Sequence, residues 1–451
     1  MELQELKQII LDQKEDKEGV FKSERIIERE GKDVKKFIMH PNILAVLGAR
    51  RSGKSVFSYS LLEDKKFGYI NFDDERLADF ETRDFNKLLQ AFYELYGSDL
   101  EYIVLDEVQN IPKWELFATR LRETKKVIIT GSSSKLLSGE LATHLTGRHI
   151  DFTLFPFSFR EHLKYRGLEV SKDVLMTKER ARLFNELNDY LILGGFPERF
   201  KFGSTIPRII YSDIITKDII LRHRIKMVEE VKKVAKYLIS NFSHEFSYSS
   251  LKNISKVEHL YTISKWLSYF EEAFLFFKFE RFTFKLKQQI LAPKKIYCID
   301  NGIVSTVGFK TTETLGRLME NTVFVELLRR KAYYFEDQEI YYWKDHQQNE
   351  VDFIVKEGHD IKQLIQVTYA SDENDVKKRE IGSLLKASKE LKCNNLLIIT
   401  WDYEDKIRID NKVIKLVPLW KWLLFWTSNK VFPDEGMDNK MGRYFLGRCP
   451  H

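Results

Sequence analysis

Directly after the apolar run Ile43 to Leu47, residues Gly48-Ala-Arg-Arg-Ser-Gly-Lys-Ser55 set a glycine, four residues, then glycine, lysine and serine in a row. This is the spacing of a phosphate-binding loop. Backbone N–H groups of Gly48, Ala49, Arg50, Arg51, Ser52 and Gly53 can face phosphate oxygens, Lys54 can reach the outer phosphates, and Ser55 offers a hydroxyl to Mg²⁺. Val56 continues into a helix whose N-terminal dipole favours the same anion. The ligand expected is a nucleoside triphosphate with Mg²⁺.

Phosphoryl transfer also needs an acid at the end of a neighbouring buried strand. Glu101-Tyr-Ile-Val-Leu-Asp-Glu107 supplies it: Asp106 ends the strand and can hold the metal, and Glu107 can orient or deprotonate water. A third strand, Val127 to Thr130, leads into Gly131-Ser132-Ser133-Ser134, whose hydroxyls could sense the outer phosphate or position water or, alternatively, cap the next helix. Arg148 has the chemistry of an arginine finger, a guanidinium that meets charge on equatorial oxygens. Spacing alone favours an ordinary surface arginine.

These residues need a scaffold, and the chain's patterning describes one. Short apolar runs at 43–47, 67–72, 102–105 and 127–130 alternate with polar, helix-length segments, the rhythm of a parallel sheet wrapped by helices. The expected organisation is α/β throughout. Residues 1–40 read as a charged helical lead-in, 41–225 as a P-loop domain with a helical lid, and 226–295 as a winged helix-turn-helix. A second α/β domain then spans 296–427, and a tail without structure spans 428–451. The lid is broken at Gly194-Gly195-Phe196-Pro197.

Composition narrows the class. The chain has 451 residues, 31% charged and 43% hydrophobic. That length and balance suit several globular domains. Its net charge of +6 is small, yet residues 226–300 hold thirteen Lys or Arg against eight Asp or Glu, so this segment supplies most of the excess. Cys298, Cys393 and Cys449 are too few and too far apart for a disulfide framework or a zinc site. The N-terminus has no apolar centre and no stretch is long enough to span a bilayer, so a cytoplasmic protein with no membrane partner is expected.

The ordered motifs Gly48 to Ser55, Tyr69-Ile-Asn-Phe-Asp-Asp74, Leu105-Asp-Glu-Val-Gln109, Thr130 to Ser134, Leu145-Thr-Gly-Arg148 and Gly194-Gly-Phe-Pro-Glu198 resemble a known family. It comprises the archaeal and bacterial ATPases of the AAA superfamily that carry a C-terminal domain of uncharacterised function. The resemblance extends through Lys295-Ile-Tyr-Cys-Ile-Asp-Asn-Gly302, Glu320-Asn321 and Glu350-Val-Asp-Phe353. It implies ATP as the nucleotide, Asp106 and Glu107 in the Walker B roles, Ser132 as a sensor, and Arg148 as a finger or sensor. Pro197 is implied as a contact to the base.

Two further readings concern the later domains. Within 226–295, Lys232, Lys233, Lys236, Lys252, Lys256, Lys265, Lys285 and Lys287 could neutralise DNA phosphates, with Thr262 to Trp266 opening a recognition helix and Lys278 to Lys287 forming a wing; a protein interface is the alternative. In the last domain Glu326, Asp352 and Gln366 fall in the order of a restriction-endonuclease-like core. Such nucleases place a lysine two positions on, but residue 368 is Thr, and Gln is a weaker metal ligand than Glu. Lys344 and Lys362 are the candidates for a substitute. The expectation is therefore an ATP-hydrolysing switch with a degenerate nuclease-like readout domain. An ATP-regulated nuclease and a non-enzymatic ATP-bound interaction module are the alternatives, and oligomeric state and protein partners are left open.

Overall fold

The computed structural model describes residues 1–31, 34–134, 147–171, 176–308 and 314–425. The expected tail from 428, Cys449, and Leu145 and Thr146 lie outside the described residues. Strands β1 (Ile43–Leu47), β2 (Phe67–Asn71), β3 (Tyr102–Asp106), β4 (Lys126–Gly131) and β5 (His149–Thr153) form one sheet in the order β2-β3-β4-β1-β5. Every pairing in it is parallel, so all C-terminal ends share one edge. β1 and β3 are buried along their whole length, which is why both read as unbroken apolar runs. β4 lies between them, and the loop after β1 and the acids after β3 therefore face each other across its end.

Two features of this domain depart from the expectation. Helix Leu3–Ser23 is no lead-in, since its Leu6, Ile9 and Ile10 are buried and Gln13 pairs with the free edge of β2. The Gln13 carboxamide donates to Asn71 O at 3.1 Å and accepts from Asn71 N at 2.8 Å. Both contacts satisfy edge groups that would otherwise invite another strand. β5 went unrecognised because only Phe152 of its five residues is fully buried, leaving no apolar run to read.

The lid comprises helices Thr177–Leu193, Arg199–Phe202 and Ile206–Asp213, followed by a π-helical stretch, Ile214–Leu221. The middle segment places helices Val228–Ser240, Tyr248–Ser255 and Leu260–Glu272 against an antiparallel sheet of β6 (Glu245–Phe246), β8 (Lys294–Cys298) and β7 (Phe276–Phe279). Where a β-ribbon wing was expected, the β7–β8 connection carries a short helix, Leu286–Leu291, with none of its residues buried. β8 runs across the boundary expected at 295.

The last sheet is mixed, in the order β13-β14-β12-β11-β10-β9. Its strands are β9 (Gln338–Lys344), β10 (Glu350–Glu357), β11 (Asp360–Val367), β12 (Leu396–Thr400), β13 (Asp405–Ile409) and β14 (Lys412–Pro418). Helix Thr314–Tyr334 lies toward the rest of the molecule, and helix Lys378–Leu391 packs with the other face in a separate small core. The β13–β14 hairpin, rich in Lys and Asp and largely unburied in β13, gave no strand signal.

The lid and the middle segment meet at two motifs that lie far apart in sequence. Gly195 N–H donates to Asp300 Oδ2 at 2.6 Å, and Gly302 N–H donates to Oδ1 at 2.8 Å. Gly194 has φ +75°, and a Cβ there would fall 1.9 Å from Asp300 Oδ1. Only glycine fits such a position. Burial pushes the Asp300 carboxyl up to about 6, against the pull of these donors. We predict that Gly194→Ala lowers unfolding free energy by about 3 kcal/mol, from combined backbone strain and collision. In a denaturation cycle with Asp300→Ala, the double variant is less destabilised than the two single losses added, because the collision partner is gone.

Candidate functional site

The phosphate loop leaves β1 with a glycine at a position that tolerates nothing larger: Gly48 has φ +154°, and a Cβ would meet Leu154 O at 2.3 Å. Gly53, at φ +94°, starts helix Lys54–Ser60, so Ser55 and Val56 stand in its first turn. Lys54 is 4% exposed. Its ammonium folds back on the loop, donating to Gly48 O and Ala49 O at 3.2 Å each, and lies 3.5 Å from Glu107 Oε1. Ser52 Oγ is buried with no hydrogen-bond partner among the described residues. Pro197 lies against the loop, its Cγ 3.8 Å from where a Gly53 Cβ would stand.

A residue that the motifs did not reveal braces the loop from behind. Arg29 donates to Ser52 O at 3.1 Å, to Phe155 O at 2.6 Å and to Glu161 Oε1 at 2.8 Å. It lies outside any motif, and only the burial of a charge among backbone carbonyls identifies it.

Asp106 and Glu107 end β3 with opposite aspects. Asp106 is fully buried, accepting from Tyr69 OH at 2.6 Å and from the Thr130 hydroxyl. Glu107 turns out of the strand through φ +51°, its N–H donating to Thr130 Oγ1 at 2.9 Å. Burial raises the Glu107 carboxyl, but Lys54, Gln109, Arg50 and Arg222 outweigh it and hold the group below the ordinary glutamate range. Gln109 Nε2 donates to its Oε2 at 2.5 Å. The result is an ionised carboxylate beside the loop lysine.

Asp218, on the π-helical stretch, gathers three segments. It is 2% exposed and accepts from Arg50 at 3.0 Å, from Ser132 Oγ at 3.0 Å and from Arg222 at 2.9 Å. Arg222 also reaches Ser132 Oγ at 3.1 Å. The other loop arginine, Arg51, pairs with Asp213 at 2.6 Å and Glu198 at 2.9 Å. Both loop arginines thus grip lid acids, an arrangement that spacing alone could not show.

Three expected placements need correction. Arg148 stands just before β5, which runs parallel to β1 with His149 beside Ile43. At about 3.3 Å per residue this puts it a strand length from the loop, at the opposite edge of the sheet. Glu326 is not beside Asp352: its carboxylate pairs with Arg329 and, at 2.9 Å, with Arg330. Glu320 faces the Asp352 cluster instead, because the six-residue step between the two glutamates turns the helix to another face. Lys362 pairs with Asp360 at the surface, whereas Lys344 reaches Glu350 at 3.2 Å. Asp352 and Gln366 do come together, since Phe353 pairs with Ile365 and sets them opposite each other.

Among the described residues His162, Glu186 and Asp189 bring metal-ligand atoms within 4.8 Å of one another. Their bonds are already made: His162 Nδ1 faces Arg199 at 2.9 Å and Nε2 faces Glu186 at 2.7 Å. A neutral ring that accepts at Nδ1 and donates from Nε2 meets both demands. Burial and then Arg199 push this histidine down to about 2. The cluster is a structural knot of the lid.

Residues 40–163 match a family described as an AAA domain, 184–314 a domain of unknown function (DUF8612), and 315–422 another (DUF4143). The chain belongs to the archaeal and bacterial AAA-superfamily ATPases that carry a C-terminal domain of unknown function, and it is an ATP-binding protein. It is 34% identical to the uncharacterised protein MJ1544 of Methanocaldococcus jannaschii, over 92% of this chain and 94% of that one. An uncharacterised protein of Haemophilus influenzae is 31% identical over 85% of this chain and 94% of its own length. The Walker-type ATPase PABY2304 of Pyrococcus abyssi aligns at a TM-score of 0.38 with 14% identity, covering 62% of this chain and 98% of that one. No helix among the described residues is long and apolar enough to cross a membrane.

Removing the shared acceptor should loosen the lid. Asp218→Ala takes the shared carboxylate from Arg50 and Arg222, leaving Arg50 the longer pairing with Asp73 at 3.5 Å, and we expect a loss of about 3 kcal/mol. Amide hydrogen exchange across Ile206–Leu221 rises with it, which a purely local defect at residue 218 would not produce.

Proposed function

We propose that this chain is an ATP-hydrolysing switch whose nucleotide state is read by the middle and C-terminal segments. The observation that carries this reading is the meeting of Lys54 and the ionised Glu107 across the end of β4, 3.5 Å apart, with Asp106 buried beside them. Lys54 rests on backbone carbonyls that a phosphate oxygen can replace as its partner, and the unpartnered Ser52 hydroxyl fits an acceptor arriving in the loop. Ser55 and Asp106 supply the hard oxygen donors suited to Mg²⁺, which when bound spreads the negative charge of the phosphates. Glu107, once Lys54 turns toward phosphate, is the carboxylate that takes a proton from the attacking water. Ser132 and Arg50 carry the change to the lid through Asp218, and Pro197 packs by the base. Arg148, remote from its own loop, is assigned to a neighbouring chain's nucleotide, so hydrolysis per chain should rise with protein concentration.

We assign the middle segment, with its order of three helices and a small sheet, to a winged-helix-like module that contacts DNA. Lys256, Lys265, Lys285 and Lys287 are exposed, and Lys265 lies over the ring of the exposed Tyr261 on helix Leu260–Glu272, offering phosphate contacts and an aromatic ring for stacking. The C-terminal segment is read as a readout domain without cutting activity, because Thr368 supplies no charge where a lysine is needed.

Glu107→Gln should lower kcat by about a hundredfold or more while ATP binding stays within about threefold. Unchanged phosphate release in that variant would leave the chain as an ATP-bound interaction module. Affinity for duplex DNA should fall by about tenfold or more between about 50 and about 200 mM salt; a flat response removes DNA from the reading and leaves the ATPase intact.

A further inference from the structure

Residues 152–156 lead from the end of β5 toward helix Phe159–Arg166 and run behind the phosphate loop, which they back in three places. Leu154 N–H donates to Leu47 O at 2.6 Å, and Leu154 O stands 2.3 Å from where a Gly48 Cβ would fall. Phe155 O accepts from Arg29, which also donates to Ser52 O. Phe152 stacks on Phe57, with ring centroids 5.2 Å apart and planes 17° from parallel. Phe57 belongs to helix Lys54–Ser60, which opens with the loop lysine. The start of the loop, its middle and its helix are thus all supported by one short segment.

The other side of that segment is covered by the C-terminal domain. On helix Thr314–Tyr334, the Tyr333 ring stacks on Phe152 at 5.1 Å with planes 5° from parallel, and meets Phe155 edge-on at 6.0 Å. Phe155 N–H donates to Tyr333 OH at 3.4 Å, and about one turn earlier Arg329 donates to Pro156 O at 3.2 Å. Tyr333, Phe152 and Phe57 are all buried, so the three rings form a column from the last domain into the nucleotide helix. Aromatic pairs favour particular mutual orientations, and a stacked column therefore fixes position where aliphatic contact would let it slide. A close-packed interior transmits displacement instead of absorbing it. A change in the seating of Tyr333 reaches Phe57.

We propose that helix Thr314–Tyr334 is part of the support of the nucleotide site, with Tyr333 as a positioning residue that holds the phosphate loop in its binding shape through Phe152 and Phe57. Tyr333 stands behind the loop and acts only through these rings. A loop kept in shape by its backing binds phosphate without the cost of ordering itself. Linkage makes the coupling reciprocal: the seating of the last domain that favours ATP is favoured by ATP in return. The proposal rests on the reading of the chain as a nucleotide-driven switch and names the route by which the C-terminal domain senses the loop. It requires ATP binding and no hydrolysis.

The test uses the full chain with Mg²⁺ and a non-hydrolysable ATP analogue, and reads affinity by calorimetry at a temperature where the protein is folded. Tyr333→Phe keeps the column and should bind within about threefold of the unaltered protein, whereas Tyr333→Leu breaks the column and should bind at least about tenfold more weakly. A ring that served stability alone would lower the melting temperature of Tyr333→Leu and leave the affinity of the folded protein unchanged, and that result overturns the proposal. The reciprocal arm needs no variant. In the unaltered protein the analogue should slow amide exchange across the last three turns of helix Thr314–Tyr334 by about threefold or more. Unchanged exchange there overturns the proposal even where Tyr333→Leu fails to fold. An unaltered protein that binds the analogue but shows neither effect loses the coupling and keeps its ATP site; one that does not bind it loses both.

Discussion

A charge taken out of water must meet an opposite charge or several aligned dipoles, and this chain repeatedly finds that partner in another segment. Asp218 of the lid receives a guanidinium from the phosphate loop and a hydroxyl from the end of β4. Glu161 receives Arg29 from the N-terminal region, and Asp300 receives the backbone of the lid turn. Lys295 enters carboxylates of the following domain. The apolar core is continuous beneath these pairs, but apolar contact is non-directional and tolerates sliding. The paired ions specify one seating of each segment on the next.

That specification gives the nucleotide loop its mechanical character. Both of its arginines are engaged by lid acids, Arg50 by Asp218 and Arg51 by Asp213 and Glu198, while its lysine rests on loop carbonyls. Anionic phosphate arriving among these cations competes with the lid for the same charges. Of the acids that would be released, Glu198 precedes the short helix Arg199–Phe202, Asp213 ends Ile206–Asp213, and Asp218 sits on the π-helical turn after it, a wide-turned geometry common at functional positions.

Local signals in the sequence marked the residues that the structure gathers at the C-terminal ends of β1 and β3. The phosphate loop, Asp106 and Glu107 follow buried strands whose apolar runs are continuous, and their roles depend on backbone geometry that glycine spacing encodes. What depends on three-dimensional register was not legible. Arg148 has the chemistry of a finger, yet parallel pairing of β5 with β1 sends it to the far edge. Glu326 and Glu320 occupy the same helix, and only its rotation decides which one meets Asp352. Lys295 counts toward the basic excess of residues 226–300, because net charge along a segment does not distinguish an exposed lysine from a buried one. The strands β5 and β13 were missed because half-exposed edges lack an apolar run.

β8 ends one sheet's work and begins another's within a few residues: it completes the middle sheet, delivers Lys295 to the last domain, and leads to Asp300 beneath the lid turn. The three segments are consequently not interchangeable modules. Exchange of the middle segment for an unrelated one of similar size would strand acids in the last domain and leave the lid's glycine turn without its acceptor. Descent in this family should therefore proceed by co-inheritance of the whole arrangement, with diversification confined to surfaces that these buried pairs do not touch.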